Sequence, residues 1–363
     1  MRVLIPCSGY GRIYRGIEIW VENISKELSK RGIDVYITCG KSVTEKRKKD
    51  KITVLTFPML KRELLIYKQR PFEEISTLIE SASLSLFSYN FLKKLNFDVM
   101  LSCQWSDLYV SLLLRKTKKF KHIFCFQSAP RKLTKILYLP LLFQDTKVTS
   151  ISNFVKERVK KTLGVEGKVI YNGVDTKLFF PSKIRERDKI TFLYVGALLK
   201  KKGIYTLLRA IKDLNPKKFE LWIVGSGPEE RRIKSMVNSE KITNVNLFGE
   251  IEHKKLPSFY RASDIVVIPS EYPEAFGMVA AEAMSCSRPI IASSVGGLSE
   301  IVKKGKSGVI FEPGNKDELI KKMLNLATNF KKRKKLGENG RKFAEKELDW
   351  SKIAEKYIQL IVD

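Results

Sequence analysis

Short β-branched runs alternate with amphipathic helical stretches along the whole chain, and near residue 190 the alternation starts afresh. In the first half, strands are expected near 2–6, 33–38, 52–56, 98–102, 121–126, 147–150 and 168–170. Helical periodicity fills 17–31, 73–94, 107–116 and 152–162. The second series reads ITFLYVG, a helix from Ile204, FELWIVG, a helix after Pro228, NVNLFG, DIVVIPS, a helix from about Gly277, PIIAS and GVIFEP. Strand–helix alternation of this kind predicts parallel sheets covered by helices on both faces. Two such series predict two doubly wound α/β domains facing a central cleft. The expected boundaries are 1–178 and 179–348, with PSKIRERDK at 181–189 as linker and a helix over 349–363 capped by Asp349 or Ser351.

Charge is the unusual part of the composition. Lys and Arg total 68 against 39 acids, a formal +29 over 363 residues. Two stretches concentrate it: 41–70, and the acid-free run between Asp107 and Asp145, which holds Arg115, Lys116, Lys118, Lys119, Lys121, Arg131, Lys132 and Lys135. Such a field favours anionic partners, whether lipid headgroups, nucleic acid or phosphorylated substrates, and a soluble lysine-rich chain is the bland alternative. The five cysteines lie far apart without a CxxC pair, and there are two histidines, so neither a disulfide framework nor a His-rich metal site is expected. Met1 runs straight into RVLIPCSG, a strand pattern rather than a signal peptide, and the longest greasy pieces, such as LYLPLLF, fall far below the ~18 residues of a spanning helix. A cytoplasmic protein is expected, peripheral on the inner face of the membrane if it meets one.

Open α/β sheets bind ligands at the carboxyl ends of their strands. The densest such place is DIVVIPSEYPEAFGMVAAEAMSCSRPIIASSVGGLSEI, residues 264–301. A strand ends near Ser270, a loop carries Glu271 to Phe276, and a helix opens at Gly277, where the lack of a side chain lets a ligand come close. The free N–H groups of Gly277, Met278 and Val279 make an anion site at the positive end of that helix. Glu274 sits at its rim and Glu282 lies on the helix eight positions later. Alone, two glutamates at that spacing are a weak signal.

The context is stronger. The stretch resembles the E-x7-E signature of retaining glycosyltransferases with the GT-B fold, family 4, the "group 1" type. SISNFVKERV, YNGVD, LYVGALLKKKG, WIVGSGPEE, VNLFGEI and GGLSE follow in family order, covering the second domain and the end of the first. The resemblance implies the GT-B architecture, two Rossmann-like domains with the C-terminal helix crossing back to domain one. It implies transfer of a sugar from a nucleotide-diphosphate sugar, UDP- rather than GDP-linked, to a hydroxyl of a glycan or lipid-phosphate-linked acceptor. Lys202 matches the lysine that neutralises the leaving diphosphate, and Glu274 the residue that holds the donor sugar, with Phe276 and Gly277 near it. Met278 and Val279 would bind phosphate and Glu282 the ribose. Gly196 and Gly225 lie on the donor side, Ile251 where the family packs the base, and Gly16 opens the first helix towards the phosphate.

Two departures stand out. The family often places Arg directly after the glycine of VG; here it is Ala197, and Lys200, Lys201, Arg12 or Arg15 are the substitutes to hand. It tends to place His after a strand in the middle of domain one; here that strand, IFCFQSAP, offers Gln127, while His122 lies at its other end as a surface or packing residue. Acceptor-side candidates are Tyr10, Tyr14, Trp105 and Gln127. No DxD triplet occurs, so no metal and no cofactor beyond the nucleotide-sugar co-substrate are expected. Without a carboxylate placed for double displacement, a front-face route is expected, in which the leaving phosphate takes the acceptor proton. The alternatives are a nucleotide-sugar epimerase of the same fold, a non-catalytic nucleotide-sugar binder, and a basic nucleic-acid-binding protein; the last lacks any helix-turn-helix, RRM or zinc-finger pattern, so no specific nucleic-acid partner is expected.

Overall fold

The computed structural model describes residues 1–12, 16–41, 44–60, 72–182 and 189–363, with side chains omitted over 72–77. It divides into two compact units, Met1–Tyr171 with Trp350–Asp363, and Asn172–Asp349. Most of the expected linker, 183–188, lies outside the described residues.

In the first unit the elements are β1 (Arg2–Pro6), α1 (Gly16–Lys30), β2 (Asp34–Gly40), β3 (Glu45–Lys49), β4 (Ile52–Phe57), α2 (Phe72–Lys94), β5 (Val99–Ser102), α3 (Trp105–Leu114) and β6 (Lys121–Phe126). A 3-10 segment (Lys132–Leu142), β7 (Lys147–Ser150), α4 (Asn153–Leu163) and β8 (Lys168–Val169) follow. The strands form one sheet in the order β3-β4-β2-β1-β5-β6-β7-β8, parallel except for β3 against β4. Strands covered on both faces read as continuous apolar runs, and Val3, Leu4 and Ile5 of β1 are fully buried. Helix α1 lays Trp20, Val21, Ile24 and Leu28 into the core, one stripe at helical spacing. Strand β3, EKRKK, has no apolar alternation and is almost wholly exposed; a lysine-rich edge strand discourages pairing with another chain.

His122 is buried and not at the surface. Its ring bonds Ser102 Oγ at 2.8 Å, Ser111 Oγ at 2.9 Å and Thr146 Oγ1 at 3.1 Å. Burial pushes its pKa down to about 3, so it is a neutral bridge in the core.

The second unit contains β9 (Ile190–Val195), α5 (Ile204–Lys212), β10 (Phe219–Val224), α6 (Glu230–Ser239), β11 (Val245–Gly249), α7 (Leu256–Ala262) and β12 (Ile265–Ile268). It continues with α8 (Met278–Ser285), β13 (Ile290–Ser293), α9 (Gly296–Lys304), β14 (Gly308–Phe311), α10 (Lys316–Thr328) and α11 (Phe330–Phe343). All pairs in the sheet β11-β10-β9-β12-β13-β14 are parallel. The order reverses between β9 and β12, which opens a crevice at their carboxyl ends.

The last helix, α12 (Trp350–Val362), belongs to the first unit. Tyr357 sets its ring edge-on to Trp20 of α1 at 5.7 Å and its hydroxyl 3.1 Å from Cys125 Sγ, while Lys121 Nζ donates to the Ile361 carbonyl at 2.9 Å. Among the described residues no helix is long and apolar enough to cross a membrane.

Candidate functional site

The reversal between β9 and β12 brings together two loops that are far apart in sequence. Past β9, Gly196 donates to the Val224 carbonyl and Leu198 to that of Ser226, so the chain follows β10 before it turns through Lys200–Lys202. Past β12, the Glu271 N–H donates to the Lys201 carbonyl at 2.9 Å, which ties the second loop to that turn. Across this junction Lys202 Nζ lies 2.8 Å from Glu274 Oε1, and the Ser270 hydroxyl donates to the same oxygen. The start of α9 locks the glutamate: the Gly297 N–H donates to the Glu274 carbonyl at 2.8 Å, and a Cβ on Gly296 would stand 2.3 Å from that oxygen.

Four residues after Glu274, α8 begins. The first N–H groups of a helix have no acceptor within it, so Gly277, Met278 and Val279 present donors beside a lysine and a carboxylate. Phe276, just before them in the chain, is buried. Glu282, on the same helix, is buried, and its two oxygens are each held: Tyr260 OH donates to Oε2 at 2.6 Å, and His253 Nε2 lies 2.9 Å from Oε1. Burial first, and the Glu282 charge second, raise the Tyr260 pKa far above the phenol range, so it remains a donor. Phe179 packs edge-on to both rings, at 5.2 Å from His253 and 5.8 Å from Tyr260.

Sequence reasoning missed His253 and Tyr260. The only signal was position: they fall on the turn before α7 and on α7 itself, and nothing local says that either faces Glu282. Tyr260→Phe would leave one oxygen of a buried carboxylate without its donor, at a cost of about 1–3 kcal/mol. Chemical denaturation of the variant checks this, and an unchanged midpoint would mean that water replaces the hydroxyl.

Other residues of the expected donor set line hollows of their own. Gly225, whose N–H donates to the Gly249 carbonyl at 2.7 Å, lines a hollow of about 240 Å³ with Leu198, Phe248 and Gly249. Ile251 lines a different one of about 480 Å³ with Phe180, Phe259 and Arg261, whose guanidinium sits 4.3 Å from the Phe180 ring centre. A third hollow of about 510 Å³, with Lys200, Arg209, Arg232 and Glu271 on its walls, lies beside the Lys202–Glu274 pair without including it.

In the first unit, Gly16 is exposed at the start of α1, and Tyr10 is half-buried with its pKa pushed up to about 12, first by burial and then by Glu22. Trp105 opens α3 with its ring 5.8 Å from Tyr109, and its buried indole N–H has no acceptor among the described residues. Gln127, just past β6, reaches Cys125 Sγ from Nε2 at 3.3 Å. Tyr14 and Arg15 lie outside the described residues. Unforeseen is Gln104, which joins the ends of β1 and β5 where this sheet reverses: its Oε1 accepts from the Ser8 N–H at 3.0 Å and its Nε2 donates to Ser8 Oγ at 2.9 Å.

Known proteins share this arrangement of sequence and fold. Residues 175–343 match the family described as "Glycosyl transferases group 1", and residues 14–178 the one described as "Glycosyltransferase Family 4". An uncharacterized glycosyltransferase of Methanocaldococcus jannaschii is 31% identical over 364 residues, covering 97% of this chain and 95% of that protein. Among solved structures, sucrose-phosphate synthase from Thermosynechococcus elongatus superposes with a TM-score of 0.84 at 23% identity, over 99% of this chain and 98% of that one. HepE of Anabaena, solved in complex with UDP and glucose, gives 0.78 at 18% identity over the full length of both chains. With two parallel α/β units and these matches, the chain belongs to the group 1 glycosyltransferases and has their GT-B fold.

Proposed function

We propose that the enzyme moves a sugar from a UDP-linked donor to a hydroxyl of a glycan or lipid-linked acceptor, with retention at the anomeric carbon and without a metal ion. The observation that carries this reading is the Lys202–Glu274 contact of 2.8 Å beside the open N-terminus of α8, with Glu282 on the same helix. A diphosphate seated there would receive the α8 N–H groups and the Lys202 ammonium. Glu274 would then exchange its lysine for sugar hydroxyls, and Glu282, oriented by Tyr260 and His253, would accept from the ribose. UDP is favoured because HepE, which shares the fold, was solved with UDP and glucose.

In the proposed step the bond between the anomeric carbon and the β-phosphate oxygen breaks as the acceptor oxygen approaches on the same face. That oxygen's proton passes to the departing phosphate, so no carboxylate nucleophile is needed. The engagement of Glu274 with Lys202 and Ser270, and of Glu282 with Tyr260 and His253, fits holding roles rather than attack. Fixed donors aimed at charge that grows in the transition state are the largest single catalytic contribution in such sites. Metal independence rests on Lys202 and the helix terminus supplying that charge, and on the absence of a DxD triplet.

Calorimetric titration with UDP, GDP, ADP and dTDP in the presence of chelator, beside Glu282→Ala, tests the donor site. Binding of UDP alone, weakened roughly tenfold or more by the substitution, a loss of at least 1.4 kcal/mol, is expected. Binding that needs a divalent cation, or that ignores Glu282, would overturn the assignment.

A further inference from the structure

We propose that the 3-10 segment Lys132–Leu142 and the adjoining face of α3 dock the protein onto an anionic lipid bilayer, independently of the donor site. With three residues per turn, side chains three apart eclipse one another in rows. One row is Leu133, Ile136, Leu139 and Leu142, exposed by 95, 64, 38 and 58%. The next row, Lys132, Lys135, Tyr138 and Leu141, holds the segment in place. Tyr138 packs 5.3 Å from Phe126 and 6.2 Å from Phe124, and Leu141 is buried, while both lysines are exposed. The exposed leucines therefore sit on an anchored ridge rather than on a loose loop. Tyr109 OH donates to the Ile136 carbonyl at 3.1 Å, which joins the ridge to α3, where Tyr109 and Leu113 are themselves part-exposed one turn apart. Phe143, the residue that follows the segment, is 72% exposed as well.

A contiguous apolar row of this kind on a protein surface marks an interaction site. The surrounding charge selects the partner. No acidic residue occurs from 108 to 144, and Arg115, Lys116, Arg131, Lys132 and Lys135 belong to α3, to its end or to the ridge. A second copy of the chain would bring this positive field against itself. A nucleic acid would use the lysines and leave the leucines in water. An anionic bilayer takes both, with acyl chains and headgroup boundary receiving the row and phosphates the lysines.

The test floats the full chain, without donor, on vesicles of phosphatidylcholine with phosphatidylglycerol and on vesicles of phosphatidylcholine alone. Beside it run a Leu133→Ser, Ile136→Ser, Leu142→Ser variant and a Lys132→Glu, Lys135→Glu variant. The unmodified protein is expected on the anionic vesicles and to be released by salt. The apolar variant should partition at least ~10-fold less, since three buried side chains are lost, and the charge variant should bind weakly and with little salt dependence. Circular dichroism and UDP titration of the same variants report folding and the donor site separately, so a failed docking surface is distinguishable from a failed donor assignment. Equal vesicle binding by the apolar variant and the unmodified chain would overturn the proposal. So would absence of binding by the unmodified chain, or a dimer in sedimentation that the apolar variant dissolves while lipid binding stays unchanged.

Discussion

Lys202→Ala is expected to lower kcat by about two to three orders of magnitude, the loss typical when one fixed donor to developing charge is removed. In the proposed reaction the ammonium meets a diphosphate that gains charge as the sugar departs. The same substitution should hardly disturb the fold. The side chains of Lys202 and Glu274 are 32% and 18% exposed, and a pair this open contributes about 1 kcal/mol or less. For a unit of this size that corresponds to a shift in Tm of roughly 2–4 °C at most. Lys212→Ala, which removes the same charge from an exposed pair with Glu240, is the control and should leave kcat unchanged. Steady-state kinetics with UDP-sugar decides the matter: a kcat within about threefold of the unmodified enzyme would remove Lys202 from the proposed chemistry.

A second large effect is expected in stability, at Gly203. This residue follows Lys202 with φ of 71°, in the left-handed region that side chains avoid, and it precedes α5. An added Cβ would stand 1.8 Å from the Pro269 carbonyl oxygen and 2.7 Å from its carbon, both backbone atoms at the end of β12. The left-handed conformation alone costs alanine about 1–2 kcal/mol. The overlap adds more, because neither partner is a side chain that can swing aside; Gly203→Ala should lose at least ~4 kcal/mol in all. Gly314→Ala separates the two causes: its φ is 77° but nothing lies within 4 Å of the added atom, so only the conformational part remains. Urea denaturation of both variants gives the difference. Equal losses would show that the β12 end yields without resistance, and that Gly203 does not hold the Lys202 turn against it.

The two effects share a cause. The Lys202 turn and the Glu274 loop touch through backbone at Gly203 and Pro269, through the Glu271 N–H, and through the ion pair itself. A change that parts the backbones also parts the charges, so Gly203→Ala should lower activity in the fraction that still folds.

Much of this molecule was legible in its residues. Continuous apolar runs such as IVVI in β12 and IIAS in β13 announce strands buried on both faces, and the Trp20–Leu28 stripe announces a helix with one face in the core. These patterns are local, because burial of each element is written at its own period. Glu274, Glu282 and Lys202 were named from ordered motifs for a similar reason, since a loop that ends a strand and opens a helix carries its own signature. Strand β3 was not legible, as its five residues carry charge instead of alternation and it exists through pairing with β4. The 3-10 ridge was hidden as well: Pro140 and a row repeating every three residues match neither the helix nor the strand period.

Long-range pairing belongs to the tertiary structure alone. Lys202 and Glu274 are 72 positions apart, and they meet because the sheet reverses between β9 and β12. Tyr260 and His253 hold Glu282 because α7 packs where it does, and Gln104 bridges β1 and β5 because that sheet reverses there too. A sequence states which face of each element must leave water, and that requirement is satisfied by more than one strand order. Which polar groups then stand opposite one another is decided only when the packed sheet selects a single order, because a hydrogen bond needs its partners at about 3 Å and cannot be specified before the elements that carry them are in place.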